Sequence, residues 1–260
     1  MSAVSNIVAV LRLFSGERPD LSVTEVARLL GIPKSSASRL LKSMLREGLL
    51  TSVGNTPRYR LGHLFFEISR LYAHNSTLMD VTEAALAEVC RDARHGGYIS
   101  LLDGADVLVV RVFRGSEPLR VITPLGSRSP AFATSTGRSL LARLSDDAVR
   151  SLHATPFVPP SSSAPQSIED LLARLDRIRE VGWCEAIDEA VPGVGSVAVS
   201  AADPGNAESL AFCVSFPAHV VPELERRRFA ALLSDEAKGI AARFDDRFWT
   251  GTQFPRVEAA

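Results

Sequence analysis

The sequence predicts an α+β protein in which a small, mostly helical N-terminal domain precedes a larger domain built on an antiparallel sheet. Up to residue 61 the apolar residues recur mainly at helical spacing, and two short strand-like segments follow. Beyond residue 80, strand-like segments joined by hairpin turns alternate with helical ones, which is typical of an α+β domain. The 260 residues and their ordinary globular composition allow two modest domains.

The N-terminal domain is predicted to contain three helices. Apolar residues between Val4 and Phe14 fit one face of a first helix. Ser22 and Glu25 form an S-x-x-E capping box that starts the second helix. The residues Gly31-Ile32-Pro33 interrupt the chain, and a third helix is predicted from about Lys34 to Glu47.

The outer face of the third helix suits the major groove of DNA. No acidic residue lies between Lys34 and Arg46, whereas a solvated helix normally mixes both signs of charge. Hydroxyl groups reach phosphate oxygens, and an arginine reads guanine edges with two hydrogen bonds. Two helices joined by a tight turn form a helix-turn-helix, whose second helix enters the groove. The residues predicted to contact DNA here are Lys34, Ser35, Ser36, Ser38, Arg39, Lys42 and Ser43.

Two short strands predict a wing beside the helix-turn-helix. They span Leu49 to Ser52 and Arg58 to Leu61. On the second strand Arg58 and Arg60 alternate with apolar residues, so both arginines are predicted to lie along the phosphate backbone. The alternative is a three-helix core that binds no DNA. The agreement of cap, turn, basic face and wing favours DNA binding.

The charge distribution supports this interpretation. Residues 1–61 hold nine Lys or Arg and four Asp or Glu, a net charge of +5, although the whole chain carries −1. A basic domain on an acidic body is typical of a nucleic-acid binder. Cys90, Cys184 and Cys213 are too few and too scattered for a disulfide framework or a zinc finger, so no metal or cofactor is expected. Neither a signal peptide nor a membrane-spanning stretch is evident, so a cytoplasmic protein without membrane contact is expected.

A connecting helix is predicted from about Gly62 to Asn75, with an apolar face formed by Leu64, Phe65, Ile68, Leu71 and Tyr72. This face has two alternative uses, packing on its own domain or pairing with a second copy. A homodimer is expected because a single helix-turn-helix binds weakly. The predicted parts of the chain are 1–61 for DNA binding, 62–78 for connection, 79–250 for the larger domain and 251–260 for a frayed tail.

The larger domain is predicted to open with a helix and a β-hairpin. The helix covers Val81–Arg94, and the favoured turn dipeptide Asp103-Gly104 joins strands at Gly97–Leu102 and Val107–Phe113. The remaining predicted elements are a strand at Leu119–Thr123, a helix from Ser135 to about Leu144, a surface excursion at Thr155–Gln166, a helix at Ile168–Glu180, strands at Ser196–Ala202 and Leu210–Phe216, and a last helix at Glu223–Phe244.

Taken together, these segments resemble the IclR family of bacterial transcriptional regulators over nearly the whole chain. The segment V-T-E-V-A-R-L-L-G-I-P-K-S-S-A-S-R-L-L resembles its helix-turn-helix, and R-Y-R-L-G resembles the end of its wing. Three later segments follow in the family's order: P-L-G-S-R-S-P-A-F-A-T-S-T-G-R-S-L-L-A, G-W-C-E-A-I-D-E-A-V-P-G-V-G-S-V-A and C-V-S-F-P. The resemblance implies an operator in double-stranded DNA, a GAF-like C-terminal domain that binds a small-molecule effector, and assembly as a homodimer or homotetramer.

The effector site is predicted from the residues and from the resemblance together. Ser135 and Thr136 stand where a helix begins, so their amides and hydroxyls can receive a carboxylate, unless either residue only caps the helix. The resemblance adds Val194, Ser196, Cys213 and Ser215 as lining, although Cys213 fits a plain core position equally well. By the resemblance, Phe132 stands where relatives often carry a histidine, and Ala186 stands where some carry an acid. Both changes favour an organic acid with an aromatic or apolar part.

Two other classes of function fit the sequence less well. An enzyme is disfavoured because the G-x-S-x-G elbow, the Walker A loop and the G-x-G-x-x-G fingerprint are all missing. Asp188 and Glu189 are expected to be surface or hinge acids rather than an acid–base pair. The second alternative is an architectural DNA binder whose larger domain only oligomerises. The sequence does not give the effector, the operator or whether DNA binding represses or activates transcription.

Overall fold

The computed structural model describes residues 3–73, 77–153 and 157–250. The chain divides into two compact units, Met1–Ser76 and Thr77–Ala260. The predicted end of the connecting helix at Asn75, the predicted start of the surface excursion at Thr155 and the predicted tail lie outside the described residues. Within the described ranges no helix is long and apolar enough to cross a lipid bilayer.

The first unit is a winged helix-turn-helix, as the sequence predicts. Its helices are α1 (Ala3–Leu11), α2 (Val23–Leu30), α3 (Lys34–Arg46) and α4 (Leu64–Ala73), and its strands are β1 (Asp20–Ser22), β2 (Leu50–Ser52) and β3 (Arg58–Leu61). β3 lies between β1 and β2 and pairs antiparallel with both. β1 was not predicted; it has only three residues and ends at Ser22, the first residue of the capping box.

Local signals in the sequence set the turn between α2 and α3. Ser22 Oγ accepts a hydrogen bond from the amide of Glu25 at 3.3 Å, and the Ser22 amide donates to the Glu25 carboxylate at 2.7 Å, so the predicted capping box is confirmed. Gly31 ends α2 in the left-handed region at φ 63°. Ala37 and Leu41 are buried in the core of the unit with Val26 from α2, which directs the polar face of α3 outwards.

The second unit is built on a six-stranded antiparallel sheet in the order β6-β5-β4-β9-β8-β7. The strands are β4 (Gly96–Asp103), β5 (Asp106–Phe113), β6 (Arg128–Pro130), β7 (Cys184–Ile187), β8 (Val194–Asp203) and β9 (Glu208–Pro217). The helices are α5 (Thr77–Ala93), α6 (Ser135–Leu141), α7 (Asp146–Leu152), α8 (Ile168–Val181), α9 (Glu223–Phe244) and α10 (Arg247–Thr250), with short 3-10 turns at Ala131–Ala133 and Pro204–Asn206.

The strand predicted at Leu119–Thr123 is wrong. This segment forms neither strand nor helix, and the edge of the sheet next to β5 is occupied by β6 instead. Prolines flank the segment at positions 118 and 124, and the side chain of Ile122 is 87% exposed, so it has no neighbouring strand to pack on. The sequence analysis also missed α7 and β7, and α6 ends at Leu141, three residues earlier than predicted.

The two faces of the sheet differ in side-chain size, and this difference shapes the unit. On one face Val199, Phe212 and Phe216 contribute to a large apolar core that also includes residues of α5 and α9. On the other face the paired residues are small, as at Ser196 opposite Ser215 and Ala198 opposite Cys213. Small side chains leave room above the sheet, and α6 lies on this face.

Gly137 allows α6 to approach the 3-10 turn before it. A Cβ added at Gly137 would lie 2.1 Å from the carbonyl oxygen of Ala131 and 2.5 Å from its Cα. Both neighbours are backbone atoms of a buried turn, so they cannot move aside as a flexible side chain would.

We therefore expect Gly137→Ala to destabilise the protein, by roughly 1–3 kcal/mol or more, because it overpacks a rigid contact. Gly239 is the matched control, since it is an exposed glycine of α9 with no atom within 4 Å of an added Cβ. Gly239→Ala should stabilise by up to about 1 kcal/mol through helix propensity. Urea denaturation of the two variants measures both effects, and shifts of the same sign would contradict the steric argument.

Candidate functional site

The outer face of α3 is a row of accessible cations and hydroxyls. Lys34, Arg39 and Lys42 are exposed, and in the part of the chain that the structure describes none of the three takes part in an ion pair. Among the predicted serines, Ser35 is exposed and Ser36, Ser38 and Ser43 are half-buried. Positive charge that is not neutralised within the unit is free to meet phosphate, and the hydroxyls between the cations can donate to it.

Arg58 and Arg60 of the wing were both predicted to contact phosphate, but their surroundings in the structure differ. Arg58 is paired with Asp20 on β1, and a second guanidinium nitrogen lies 3.1 Å from the carboxylate of Glu25. These contacts, Asp20 first, raise the pKa of Arg58. Arg60 is exposed and has no ion pair with any described residue. The wing therefore presents Arg60 outwards, while Arg58 joins β3 to β1 and to the capping box.

Glu25 is held in its ionised form by its position in the cap. The backbone amide and then the hydroxyl of Ser22, with a smaller contribution from Arg58, lower the pKa of Glu25 to about 2. The ionised Glu25 carboxylate therefore joins the start of α2, through Ser22, to β3, through Arg58.

In the second unit, a cavity of about 210 Å³ lies on the small-residue side of the sheet. The sheet contributes Tyr98, Ala186, Val194 and Ser196 to its lining. The remaining lining comes from three segments: residues 121–124 with Ser127 and Ser129, the end of the 3-10 turn at Ala133 and Thr134, and the hairpin residues Glu189, Ala190 and Val191. Its volume is below the 300–1,000 Å³ that is usual for drug-sized ligands, which fits a small molecule.

The predicted residues of α6 lie directly behind this lining. Ser135 Oγ is 2.7 Å from Ser196 Oγ, so the start of α6 is hydrogen-bonded to β8 at the cavity. Thr136 is fully buried, and its hydroxyl forms no hydrogen bond of standard geometry with a described residue, although the Tyr98 hydroxyl lies nearby. The helix is capped by Thr134, whose Oγ1 accepts from the Gly137 amide at 3.0 Å. Neither Ser135 nor Thr136 is therefore the cap of its own helix.

The two predicted residues of β9 have different surroundings. Ser215 lies opposite Ser196 in the ladder and donates to the Gly96 carbonyl at 3.4 Å. Cys213 is fully buried, and burial raises the pKa of its thiol. It lies opposite Tyr98 in the ladder between β4 and β9.

Tyr98 is a cavity residue that the sequence analysis missed. Burial raises the pKa of its phenol well above the usual value, and its hydroxyl lies close to those of Thr136 and Ser196 and to the Cys213 thiol. The phenol is therefore neutral, and Tyr98 connects Thr136 and Cys213 to the cavity although neither lines it. The only available signal was register, because Tyr98 shares a face with Cys213 once β4 and β9 are paired.

Phe132 lies outside the lining of the cavity. Its ring is 4.1 Å from that of Phe157 and 5.8 Å from that of His153, measured between ring centroids, in the core that covers α6 and α8. Ala186, by contrast, does line the cavity. Of the two departures noted in the sequence, only Ala186 acts directly on the polarity of the cavity.

The expectation that Asp188 and Glu189 are both surface or hinge acids is wrong for Glu189. Asp188 has a positive φ of 56° and accepts from the Gly193 amide at 2.6 Å, which closes the turn between β7 and β8. Glu189 is only 6% exposed and forms a two-point ion pair with Arg138 of α6. The guanidinium of Arg138 also donates to the Glu185 carbonyl at 2.7 Å. Sequence reasoning missed this pair because its members are 51 residues apart.

A larger cavity of about 350 Å³ lies elsewhere in the unit, with Arg138, Arg174, Arg177 and Trp183 among its lining residues. None of the predicted effector residues lines it, so the smaller cavity is the better candidate for an effector. In the described residues no group of three His, Cys, Asp or Glu side chains is placed to hold a metal ion.

Comparison with known proteins assigns both units to one family. Residues 3–54 match the family model described as the IclR helix-turn-helix domain, and residues 70–242 match that of the bacterial transcriptional regulator IclR C-terminal domain. The transcriptional regulator KdgR of Escherichia coli is 25% identical over 243 residues, which cover 93% of this chain and 92% of that protein. The Pca regulon regulatory protein of Pseudomonas putida is 26% identical, over 90% of this chain and 81% of its own length.

Solved structures share the fold. An IclR transcriptional regulator from Alicyclobacillus acidocaldarius superposes with a TM-score of 0.79 at 21% identity, covering 96% of this chain and 98% of its own. An IclR homolog from Microbacterium hydrocarbonoxydans, solved in complex with 4-hydroxybenzoate, superposes with a TM-score of 0.78 at 19% identity, covering 94% and 99%.

The lowered pKa of Glu25 predicts an acid-sensitive cap. A carboxylate whose folded-state pKa lies near 2, below the ordinary value of 4.5, stabilises the fold above about pH 4.5 and loses that effect as the pH falls towards 2. Wild type should therefore melt above Glu25→Gln at pH 6, and the gap should close on acidification. A gap in melting temperature that stays constant from pH 6 to pH 2.5 would contradict the assignment.

Proposed function

We propose that this chain, which belongs to the IclR family of bacterial transcriptional regulators, binds an operator through α3 and the wing and responds to a small-molecule effector bound in its second unit. The observation that carries the DNA-binding part is the row of exposed, unpaired cations on α3. This row lies on the helix that enters the major groove in a helix-turn-helix. We place the protein in the cytoplasm, where its operator would be.

We propose two roles for the predicted DNA contacts. Arg39 projects from the middle of the outer face of α3, where a guanidinium can read a base edge. Arg60 projects from the wing, where a cation meets phosphate. Arg58 stays among the proposed contacts, but we expect it to contribute less than Arg60. Its charge is already neutralised by Asp20 and Glu25.

We expect Arg39→Ala to weaken operator binding by about 1–3 kcal/mol and to relax the preference for operator over random duplex. Arg60→Ala should weaken both duplexes alike and reduce the salt dependence by about one phosphate contact. Arg58→Ala is the matched wing control, and its main effect should be a lower melting temperature. Fluorescence anisotropy at several salt concentrations measures these affinities. Equal binding of wild type to operator and random DNA would contradict the proposal.

We propose that α4 joins two copies of the protein. Phe66 is 68% exposed and Ile68 is 53% exposed, which leaves large apolar side chains of this helix in water. Of the predicted face, Ile68 is exposed and Leu64 and Phe65 are half-buried, while the side chains of Leu71 and Tyr72 lie outside the described residues; Phe66 was not part of that face. A dimer would carry two winged helix-turn-helix units and so double the contacts with DNA. This raises the affinity without any new contact in either unit.

Replacing Phe66 and Ile68 together with Glu should yield monomers in sedimentation velocity, because two carboxylates cannot be buried unpaired. Both residues are exposed, so the fold of each copy should be unaffected. Leu224→Glu is the control, since Leu224 is an 81% exposed apolar residue of α9. If the double variant keeps its oligomeric state, the interface lies elsewhere.

We propose that the effector is a small organic acid, preferably an aromatic one, bound in the 210 Å³ cavity. Alanines and valines give the cavity an apolar wall, and hydroxyls from Tyr98 and Ser196 give it hydrogen-bond donors. We place the carboxylate near Ser135 and Thr136 and the less polar part towards Val194. The complex of the structural relative with 4-hydroxybenzoate supports this class of ligand.

Thr136 offers the sharpest test of this placement. Because its buried hydroxyl has only the Tyr98 hydroxyl nearby among the described residues, Thr136→Val should change stability little, yet it should remove the response of operator binding to the effector. Ser145→Ala is the control, because it removes the cap of α7 outside the cavity lining and should cost about 1 kcal/mol without changing the response. Melting scans and operator titrations with 4-hydroxybenzoate measure both properties. A normal response in Thr136→Val would place the carboxylate elsewhere.

A further inference from the structure

The cavity contains a charged group that the proposed function does not use. Glu189 lines it and is almost fully buried. None of the lining residues in the described chain is Lys, Arg or His. A ligand entering this space therefore meets one carboxylate and no cation.

The Glu189 carboxylate is neutralised by Arg138 but can accept further hydrogen bonds. Arg138 donates one hydrogen bond to each carboxylate oxygen, and the nearest nitrogen of Arg174 is 3.6 Å away. An ionised carboxylate accepts about four hydrogen bonds, so roughly two positions remain. Ion pairing to Arg138 stabilises the charge, and the remaining lone pairs are left for a ligand that can donate.

The other polar groups of the cavity have the opposite character. Tyr98 and Ser196 carry hydroxyls, which can donate to an anionic oxygen. Ser196 is paired with Ala186 on β7, and Glu189 follows three residues after Ala186, beyond the end of that strand. Tyr98 and Ser196 thus belong to β4 and β8, whereas Glu189 belongs to the hairpin after β7, and a ligand in the cavity is expected to bond to both.

We propose that Glu189 determines effector specificity by requiring a hydroxyl, or another hydrogen-bond donor, in addition to the carboxylate. This inference rests on the proposed function, because it assumes that the cavity binds an organic acid. A hydroxy acid places its carboxylate at the hydroxyls of Tyr98 and Ser196, which lie next to those of Thr136 and Ser135, and donates its hydroxyl to Glu189. An acid without the hydroxyl leaves a desolvated carboxylate with unused acceptors, and a diacid places two negative charges together.

The test is isothermal titration calorimetry of the full-length protein with benzoate, the three hydroxybenzoate isomers and terephthalate. At least one hydroxybenzoate should bind about 10- to 150-fold more tightly than benzoate, the range for a hydrogen bond to a charged group. Terephthalate should not bind measurably. Benzoate binding as tightly as every hydroxybenzoate would overturn the role of Glu189 and leave the proposed function intact. No binding by any of the five would instead overturn the proposed class of effector.

A variant pair assigns the effect to this residue. Glu189→Gln should reduce the preference for the best hydroxybenzoate over benzoate to within about threefold and should admit terephthalate, because the amide can donate. Glu185→Gln is the matched control, since the Glu185 carboxylate pairs with Arg226 and does not line this cavity. An unchanged preference in folded Glu189→Gln would overturn the inference. If that variant does not fold, the wild-type comparison decides.

Discussion

The cavity side of the second unit depends on one buried interaction, the ion pair between Arg138 and Glu189. Arg138 lies on α6 and Glu189 follows β7, so the pair ties the helix at the cavity to the edge of the sheet. Its guanidinium also binds the carbonyls of Phe132 and Glu185, so the 3-10 turn and β7 are held by the same side chain. A buried pair is stabilising only when its remaining donors are satisfied, and here nearly all of them are.

This constraint explains why the cavity lies where it does. The small residues on one face of the sheet leave space, and Gly137 lets α6 approach the preceding turn closely. The hydrogen bonds of Arg138 to Phe132, Glu185 and Glu189 then hold α6 in place against the sheet. The same principle operates in the first unit on a smaller scale, where Arg58 links β3 to β1 and to the cap of α2.

The sequence predicted what local chemistry determines. The capping box of Ser22 and Glu25, the turn at Gly31 and the basic face of α3 are all encoded within a few residues, and the structure contains each of them. The predicted strand at 119–123 failed because β-propensity is meaningful only when a neighbouring strand offers a partner. The real edge strand, β6, is three residues long and carries an arginine and a proline.

The candidate effector site was predictable only in part, because its members meet through tertiary contacts. Ser196 and Val194 were placed by the resemblance, and both line the cavity. Tyr98 and Glu189 were missed, since the first becomes visible only through strand register and the second only through a partner far along the chain. Arg58 shows the same limit, because its partner Asp20 is 38 residues away.

The most direct test of this account is a double-mutant cycle between Arg138 and Glu189, followed by urea denaturation. Removing either partner alone, as in Arg138→Met or Glu189→Leu, should cost about 3–5 kcal/mol because it leaves an unpaired buried charge. The double variant should recover most of that loss, since the two apolar side chains replace the pair without leaving a charge behind. Additive losses, or single losses below about 1 kcal/mol, would contradict the claim that this ion pair organises the unit.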